Sequence, residues 1–597
     1  MREFTSPGEV KIADESNLCT SLWENAEQHP NRPALAYRDG DRFVDVTSKQ
    51  FVDEVTALAK GLIGCGIEPG SKVCVYSPTR IEWTYLDYAI WAAGCVTVPI
   101  YETSSAEQVE WIVGNSEAVA IFPANSDLES VYAEVAGGLE DCKHVFVLDE
   151  GGLDDLKVAG SDVPDADVRE RSSAVDKDDL ATIVYTSGTT GRPKGCELTH
   201  GNLYWDAAQV QTVISDMMTA GESTLLFLPL AHIFGRVIQI GCVFAGAKLA
   251  YSTGIPQLTE ELGMVKPTFI LSVPRVFEKV YNGAQQKAHG EGKGKIFDKA
   301  AQVAIEYSKG EQGGGASLPI KLQHAVFDKL VYSKLRHVVG GNVRGAISGG
   351  AALGERLGHF FNGVGLPIYE GYGLTETSAG ATLNRPGEFK IGSVGKPIPG
   401  ASVRIADDGE VLLKGGNVFR GYYKHQEATD EALDDEGWFR TGDIGELDSQ
   451  GYLRITGRKK ELIVTAAGKN VAPAVLEDRL RSHILISQAM VIGDGENFIA
   501  AMISIDAEEF PKWAEQRGKT GKSIADLVDD AELRGEVAGA VESANKAVSR
   551  AESIREFRVV PEDFSIEGGE LTPTLKVKRN VVADKYGHLI EEIYGRS

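Results

Sequence analysis

The run Thr186 to Gly195, TSGTTGRPKG, sets backbone N–H groups, hydroxyls and one ammonium in a row with few bulky side chains. A polyphosphate needs that combination where the main chain must approach it closely. Thr186, Ser187, Gly188, Thr189, Thr190, Gly191 and Lys194 therefore read as a phosphate cradle. A Walker A loop would need G-x-x-x-x-G-K-[ST], but from Gly188 the order is GTTGRPKG, with Lys194 between Pro193 and Gly195. Other stock motifs fail as well. There is no H-E-x-x-H and no G-x-S-x-G around Ser187 or Ser348, and in GYGLTE at Gly371 a glutamate, Glu376, stands where a dinucleotide fingerprint needs its third glycine.

Composition narrows what that cradle could serve. The chain has 597 residues, 61 Lys+Arg against 86 Asp+Glu, a formal charge of −25. Such an excess of acid repels nucleic-acid backbones, and no long basic run offsets it, so a small nucleotide is expected and nucleic acid is not. At 43 % hydrophobic residues this length implies several domains with real cores. The seven cysteines are odd in number, widely spaced and free of any C-x-x-C pair, which fits reduced, buried thiols in a cytosol. The N-terminal MREFTSPGEVKIADES reaches no apolar stretch of the kind a secretory signal carries. The apolar runs Ala89 to Tyr101 and Thr224 to Ala250 are too short, or are broken by Pro229, His232 and Arg236, for a spanning helix of about 20 residues. The expectation is a cytoplasmic protein whose only membrane contact is peripheral, at the inner face.

The elements that must position the loop alternate. Phe51 to Leu62 has helical spacing, Lys72 to Tyr76 (KVCVY) reads as a strand, and Ile81 to Ala93 as a helix before CVTVPIY, an order that argues for α/β layers. Asp149 to Asp179 turns acidic and Gly/Ser/Pro-containing, and is expected to be a solvated connector. The strand Ala181 to Tyr185 then feeds the phosphate loop. Between Gln285 and Val338 two amphipathic patterns, Ile296, Ala300, Val303, Ala304, Tyr307 and Leu322, Val326, Leu330, Val331, are either surface decoration or the walls of a pocket for a long apolar ligand. Short strands with Gly turns follow Lys390. From about Lys460 the strand ELIVT, a helix at Ala474 to His483 and a hairpin across GDGEN open a smaller domain. The fold class expected is α/β: a large N-terminal domain of layered α/β subdomains plus a small β-rich module, residues 1–459, then a small mobile α+β domain, residues 460–597.

TSGTTGRPKG resembles the signature of the adenylate-forming superfamily of acyl-CoA synthetases, luciferases and peptide-synthetase adenylation domains. SGGAAL at Ser348, EGYGLTET at Glu370, WFRTGD at Trp438, GRKKELI at Gly457 and LTPTLKVKR at Leu571 follow in that family's order and cover essentially the whole chain. LPLAHIFGR at Leu228, with the helical insertion, is most similar to the long-chain fatty acyl-CoA synthetase branch.

The resemblance implies a reaction in which a carboxylate attacks the α-phosphorus of ATP to give acyl-AMP and pyrophosphate, after which coenzyme A displaces AMP. It assigns Glu376 and Thr186 to Mg²⁺, and Tyr372 to adenine. Glu370, Gly371, Gly373 and Thr375 are placed along the nucleotide. Asp443 is given the ribose hydroxyls, with Arg458 and Lys460 nearby. His232 and Gly349 fall at the acyl pocket and Gly350 beside the nucleotide. Lys576 is the catalytic lysine bridging carboxylate and α-phosphate, Lys460 the hinge of the small domain, and Gly468 and Lys469 belong to a coenzyme A face. Where many relatives carry a second lysine after ELI, this chain has Val464. Two other readings stay open: an acyl-AMP ligase serving a separate carrier protein, and a fatty-acid-binding relative without catalysis. Oligomeric state is not legible.

Overall fold

Lys72–Tyr76 and Val96–Ile100 are apolar without alternation, the pattern of strands covered on both faces, and burial of Val73, Cys74, Val75, Val98 and Ile100 to 0 % exposure bears that out. The computed structural model describes residues 2–186, 192–466, 468–572 and 575–595. These two strands are central in a seven-stranded sheet ordered Gly421–Tyr422, Lys194–Thr199, Leu180–Thr186, Val96–Ile100, Lys72–Tyr76, Ala118–Pro123, His144–Val145. A second sheet sets Phe269–Ser272, Gly345–Ser348 and Ile368–Tyr372 parallel, and a third pairs Ser223–Leu226, Lys248–Tyr251, Pro33–Asp39 and Arg42–Thr47. The layered α/β class is as expected. The chain divides into two compact units, one of Met1–Ile405, Leu412–Thr441 and Leu447–Arg454, the other of Ala406–Val411, Gly442–Glu446 and Ile455–Ser597. Strands Ser402–Ile405, Glu410–Lys414, Phe439–Leu447 and Leu453–Arg458 supply the small β-rich module, and the division runs through them.

Two expectations need correction. The acidic stretch 149–179 is not a solvated connector: it folds as the helices Gly152–Ala159 and Asp165–Ala174. Its few apolar residues carry it, since Leu156 and Val168 are 0 % exposed, and a Cβ at Gly61 in the Ser48–Gly64 helix would run into the Leu156 backbone. Charge density hid two anchors that are enough to seat short helices. The second correction concerns the pocket-wall reading of 285–338. Ala300, Val303 and Ala304 are buried, but Ile296, Leu322, Val326 and Leu330 are 50, 64, 56 and 54 % exposed, so of the second pattern only Val331 packs on the core while Leu322, Val326 and Leu330 face water. The inward side of that region is instead an aromatic core of Phe277, Tyr281, Phe297, Phe360 and Phe361.

In the second unit Ile486–Ile492, Ile499–Ile505 and Ile554–Val559 form one sheet, the first pair antiparallel and the second parallel. Side chains alternate between two cores, as strand geometry demands. Ala489, Val491, Ile499, Ala501 and Ile503 pack on the helices Pro473–Arg481 and Ala531–Asn545, whereas Met490, Ala500 and Met502 pack with Phe564, Leu571, Val582 and Tyr586. All seven cysteines are free thiols, six of them buried. Among the described residues no helix is long and apolar enough to cross a membrane.

Arg236, which interrupts the apolar run of the sequence, is fully buried. It forms an ion pair with the equally buried Asp87, and its Nη1 donates to Thr182 Oγ1 at 2.5 Å. Gln239 Nε2 adds a bond to Asp87 at 2.9 Å, and the rings of Trp83 and Trp91 lie 5.4 and 5.3 Å from the guanidinium. The pair thus fastens the helices Ile233–Ala245 and Ile81–Ala92 to the strand Leu180–Thr186. Asp87→Ala leaves a buried cation without its carboxylate, and is expected to lower stability by about 3–5 kcal/mol in urea denaturation. A loss under about 1 kcal/mol, the range of exposed pairs, would contradict this role.

Candidate active site

Leu180–Thr186 and Lys194–Thr199 pair antiparallel with Thr186 opposite Lys194, so the segment expected to cradle phosphate joins two strands rather than a strand and a helix as a Walker A loop does. Ser187, Gly188, Thr189, Thr190 and Gly191 lie outside the described residues. At the loop's exit the Arg192 guanidinium lies 4.8 Å from the Trp111 ring centre, and Trp111 Nε1 donates to the Pro193 carbonyl at 2.8 Å. The Lys194 ammonium sits 5.1 Å from the ring of Tyr422, on the neighbouring edge strand.

Tyr422 in turn reaches the predicted metal ligand: its hydroxyl donates to Glu376 Oε1 at 2.8 Å. Burial, and then the Glu376 charge, push the phenol's pKa far up, so it stays a donor. The Thr186 hydroxyl lies 3.9 Å from Cys196 Sγ, and burial, Glu376 and Thr186 all act on that thiol, whose net shift is strongly upward. Thr186, Lys194 and Glu376 are therefore brought together, around Cys196 and Tyr422. Two hard protein oxygens fit an ion such as Mg²⁺, which takes the rest of its shell from phosphates and water.

The turn carrying Glu376 is held from several sides. Phe419 N–H donates to the Glu376 carbonyl at 2.8 Å, Ser378 Oγ donates to Asn417 O at 2.9 Å, and Asn417 Nδ2 reaches the carbonyls of Thr377 and Gly380. Ser378 and Ala379 both have left-handed φ, 53° and 70°, a strain that the surroundings must hold. A Cβ at Gly373 would collide with the Ala379 carbonyl, which explains that glycine. Thr375 is buried, and Gly371 and Tyr372 end the strand Ile368–Tyr372.

Alongside, Ser348 pairs with Glu370 across parallel strands, and Glu370 Oε1 accepts from Leu353 N–H at 2.9 Å. Gly349 and Gly350 follow at the carboxyl end of Gly345–Ser348, the edge where open α/β sheets bind ligands. Phe234 packs on Gly349, 3.3 Å from where a Cβ would project. His232, half-buried, caps the helix that carries Phe234 by accepting its N–H at Nδ1, 3.1 Å. His232 and Gly349 thus share one corner.

The remaining predicted residues belong to the second unit. Asp443 is 4 % exposed and pairs with Arg458 Nε at 3.2 Å. Lys460 is exposed on the turn Lys459–Glu461, whose Lys459 bonds Asp408 and Glu410 at 2.6 and 3.0 Å. Gly468 lies in a turn at φ 73°, and the adjacent Lys469 pairs with Glu552 at 3.1 Å. Lys576 is exposed. Thr572 N–H donates to the Lys576 carbonyl at 2.8 Å, Lys576 N–H donates to Thr572 Oγ1 at 3.0 Å, and Leu575 is left-handed at φ 61°. Beyond Lys576, Arg579 bonds Glu477 at 2.7 Å, and before it the buried Glu570 pairs with Lys585. The chain is therefore gripped on both sides of Lys576.

Residues 22–423 match the AMP-binding enzyme family, and residues 460–597 match the AMP-binding enzyme C-terminal domain. The chain belongs to the AMP-binding enzyme family. It is 49 % identical over 600 residues to the long-chain-fatty-acid–CoA ligase FadD15 of Mycobacterium bovis, covering 100 % of both chains. It is 31 % identical to long-chain-fatty-acid–CoA ligase 1 of Cavia porcellus, covering 94 % of this chain and 84 % of that one. Two solved structures share the fold of this AMP-binding enzyme. The A domain of carboxylic acid reductase from Segniliparus rugosus, in complex with AMP and a carboxylic acid, has a TM-score of 0.74 at 20 % identity and covers 97 % of this chain and 94 % of its own. ATP-bound MatB from Rhodopseudomonas palustris has 0.72 at 22 %, covering 97 % and 100 %.

Reasoning from the sequence missed Tyr422, Asn417 and Cys196. Tyr422 and Asn417 lie in GNVFRGYY, a segment whose only local signal was a polar asparagine among apolar residues. Asn417 is 2 % exposed, and truncating it strands several backbone groups of a strained turn. Asn417→Ala in this AMP-binding enzyme is expected to cost about 2 kcal/mol or more in urea denaturation. A change within about 0.5 kcal/mol, as at an ordinary surface site, would show that the turn needs no such support.

Proposed function

We infer that this protein is a long-chain fatty acid–CoA ligase. The observation that carries the reading is the 49 % identity to such a ligase along the full length of both chains. A fatty carboxylate attacks the α-phosphorus of ATP, giving acyl-AMP and pyrophosphate. The thiol of coenzyme A then attacks the acyl carbon and AMP leaves, so fatty acid, ATP and coenzyme A are its small-molecule substrates. The domain reading of residues 1–459 and 460–597 is kept as part of the proposal, as is a cytoplasmic protein making peripheral contact with a membrane.

The first half-reaction drives an anion against a polyanion, so preorganised cations and donors do most of the work. In our assignment the main chain and hydroxyls of residues 186–191 and Lys194 cradle the triphosphate. Glu376 and Thr186 would hold Mg²⁺, which supplies charge neutralisation at the phosphates. Tyr372 stacks on adenine, with Glu370, Gly371, Gly373, Thr375 and Gly350 along the nucleotide. Asp443, oriented by Arg458, accepts the ribose hydroxyls. Gly349 and His232 bound the carboxylate end of the acyl site. Lys576 places its ammonium between the attacking carboxylate and the α-phosphate. Lys460 is the hinge about which residues 460–597 turn to present Gly468 and Lys469 to coenzyme A.

Acid-dependent ATP–pyrophosphate exchange over a panel of chain lengths, with loss of free coenzyme A thiol followed in parallel, tests the reading. Exchange that rises toward long chains, with thiol consumption, is expected. Exchange without thiol loss would point to a carrier protein as acceptor, and no exchange with any acid would remove the enzyme reading. Lys576→Ala should slow acyl-AMP formation on the order of a hundred- to a thousandfold and largely spare thioester formation from supplied acyl-AMP. Equal loss of both half-reactions would contradict the role given to Lys576.

A further inference from the structure

The helix Leu318–Phe327 continues through a π turn, Asp328–Tyr332, into Ser333–Val338. Its inward side is tied down. His324 stacks on Tyr307 at 3.8 Å and lies 2.6 Å from the Gly363 carbonyl, while Tyr332 OH donates to the Ala300 carbonyl at 2.7 Å. Arg336 reaches the Val364 carbonyl at 2.6 Å and Asp328 at 2.8 Å. The outward side is apolar and bare: Leu318, Leu322, Val326 and Leu330 are 72, 64, 56 and 54 % exposed. A four-residue step turns an α-helix only about 40° past a full revolution, so these four side chains form one ridge. Single apolar residues in water are ordinary, but a continuous ridge on a rigid helix marks an interaction surface.

Charge says what that surface meets. Lys321, Lys329 and Lys334 are exposed along the same side, Lys321 lying 3.8 Å from Glu311. Residues 274–344 hold twelve Lys and Arg against six Asp and Glu, a net +6 in a chain of −25. An acidic protein is repelled by an anionic surface except where it carries such an inversion, and an apolar ridge between lysines is how a helix lies in a lipid headgroup layer. A second copy is disfavoured by the same charge, since Lys321, Lys329 and Lys334 of two copies would have to meet.

We propose that Leu318, Leu322, Val326 and Leu330, flanked by Lys321, Lys329 and Lys334, form the face by which the protein docks on an anionic lipid bilayer. The proposal rests on the ligase reading for its purpose, because a long-chain acid and its thioester partition into bilayers, but not for its geometry. Docking by this face keeps the enzyme where its apolar substrate is concentrated.

The full-length protein is sedimented with vesicles of phosphatidylcholine containing roughly a third phosphatidylglycerol, and with vesicles of phosphatidylcholine alone. Binding to the anionic vesicles is expected, and at least about tenfold weaker binding to the neutral ones. Lys321→Gln/Lys329→Gln/Lys334→Gln should weaken binding on the order of a hundredfold, roughly fivefold per lysine, and Leu322→Ser/Val326→Ser at least about tenfold. Absence of binding by the wild type, or either variant binding within about twofold of it, overturns the proposal. So does sedimentation velocity without vesicles that finds a dimer which Leu322→Ser/Val326→Ser converts to monomer. Acyl-CoA synthesis from a monomeric medium-chain acid without vesicles separates the two readings. Ridge-dependent vesicle binding together with no acid activation supports the docking face while the ligase reading fails; intact activation with no vesicle binding removes the docking face alone.

Discussion

A carboxylate proposed to hold a metal ion, as Glu376 is, must be kept still without being neutralised, and the hydrogen bond from Tyr422 meets both requirements. Its donor is a phenol that burial keeps protonated, so Glu376 is oriented by a neutral group. The Lys194 ammonium lies over the ring of that same tyrosine. Much else serves this one contact. The edge strand Gly421–Tyr422 brings the phenol in, and Asn417 and Phe419, just before it, clamp the strained turn on which Glu376 rides. The buried Arg236–Asp87 pair fixes the strand that ends in Thr186 to its neighbouring helices.

The second unit solves a related problem by different means. Lys576, the lysine proposed to act on a phosphate, must remain exposed, so its long side chain cannot be fixed by burial. The backbone is fixed instead. A left-handed Leu575, two bonds between Thr572 and Lys576, and the ion pairs of Glu570 and Arg579 on either side hold it. Strain of roughly 1–2 kcal/mol at a non-glycine left-handed residue persists only where such surroundings enforce it.

Much of this was legible from residue order. The buried strands around Cys74 and Val98, the hairpin across GDGEN and the helix near Ala474 follow from periodicity and turn chemistry. Of the site's motifs only the run 186–195 was read from residue type and spacing; the others were read from their resemblance to the adenylate-forming superfamily. What stayed hidden depends on contacts distant in sequence. Tyr422 sits 46 positions from the carboxylate it holds, and Asp87 lies 149 positions from Arg236. Helices seated by one or two residues, such as those around Leu156 and Val168, vanish beneath a charged surface pattern. Periodicity also gives a helix its two faces without saying which turns inward. At Leu322 and Val326 the inward side was claimed by His324 and Tyr332, whose polar atoms find backbone carbonyls.

The Tyr422 hydroxyl is proposed to hold Glu376 ready for a cation. That role is tested most directly by the Mg²⁺ concentration that gives half-maximal acyl-AMP formation at saturating ATP, measured for the wild type, Tyr422→Phe and Glu376→Gln. A requirement raised on the order of tenfold is expected in Tyr422→Phe, with folding intact, and loss of the reaction in Glu376→Gln. An unchanged Mg²⁺ requirement in Tyr422→Phe would contradict it.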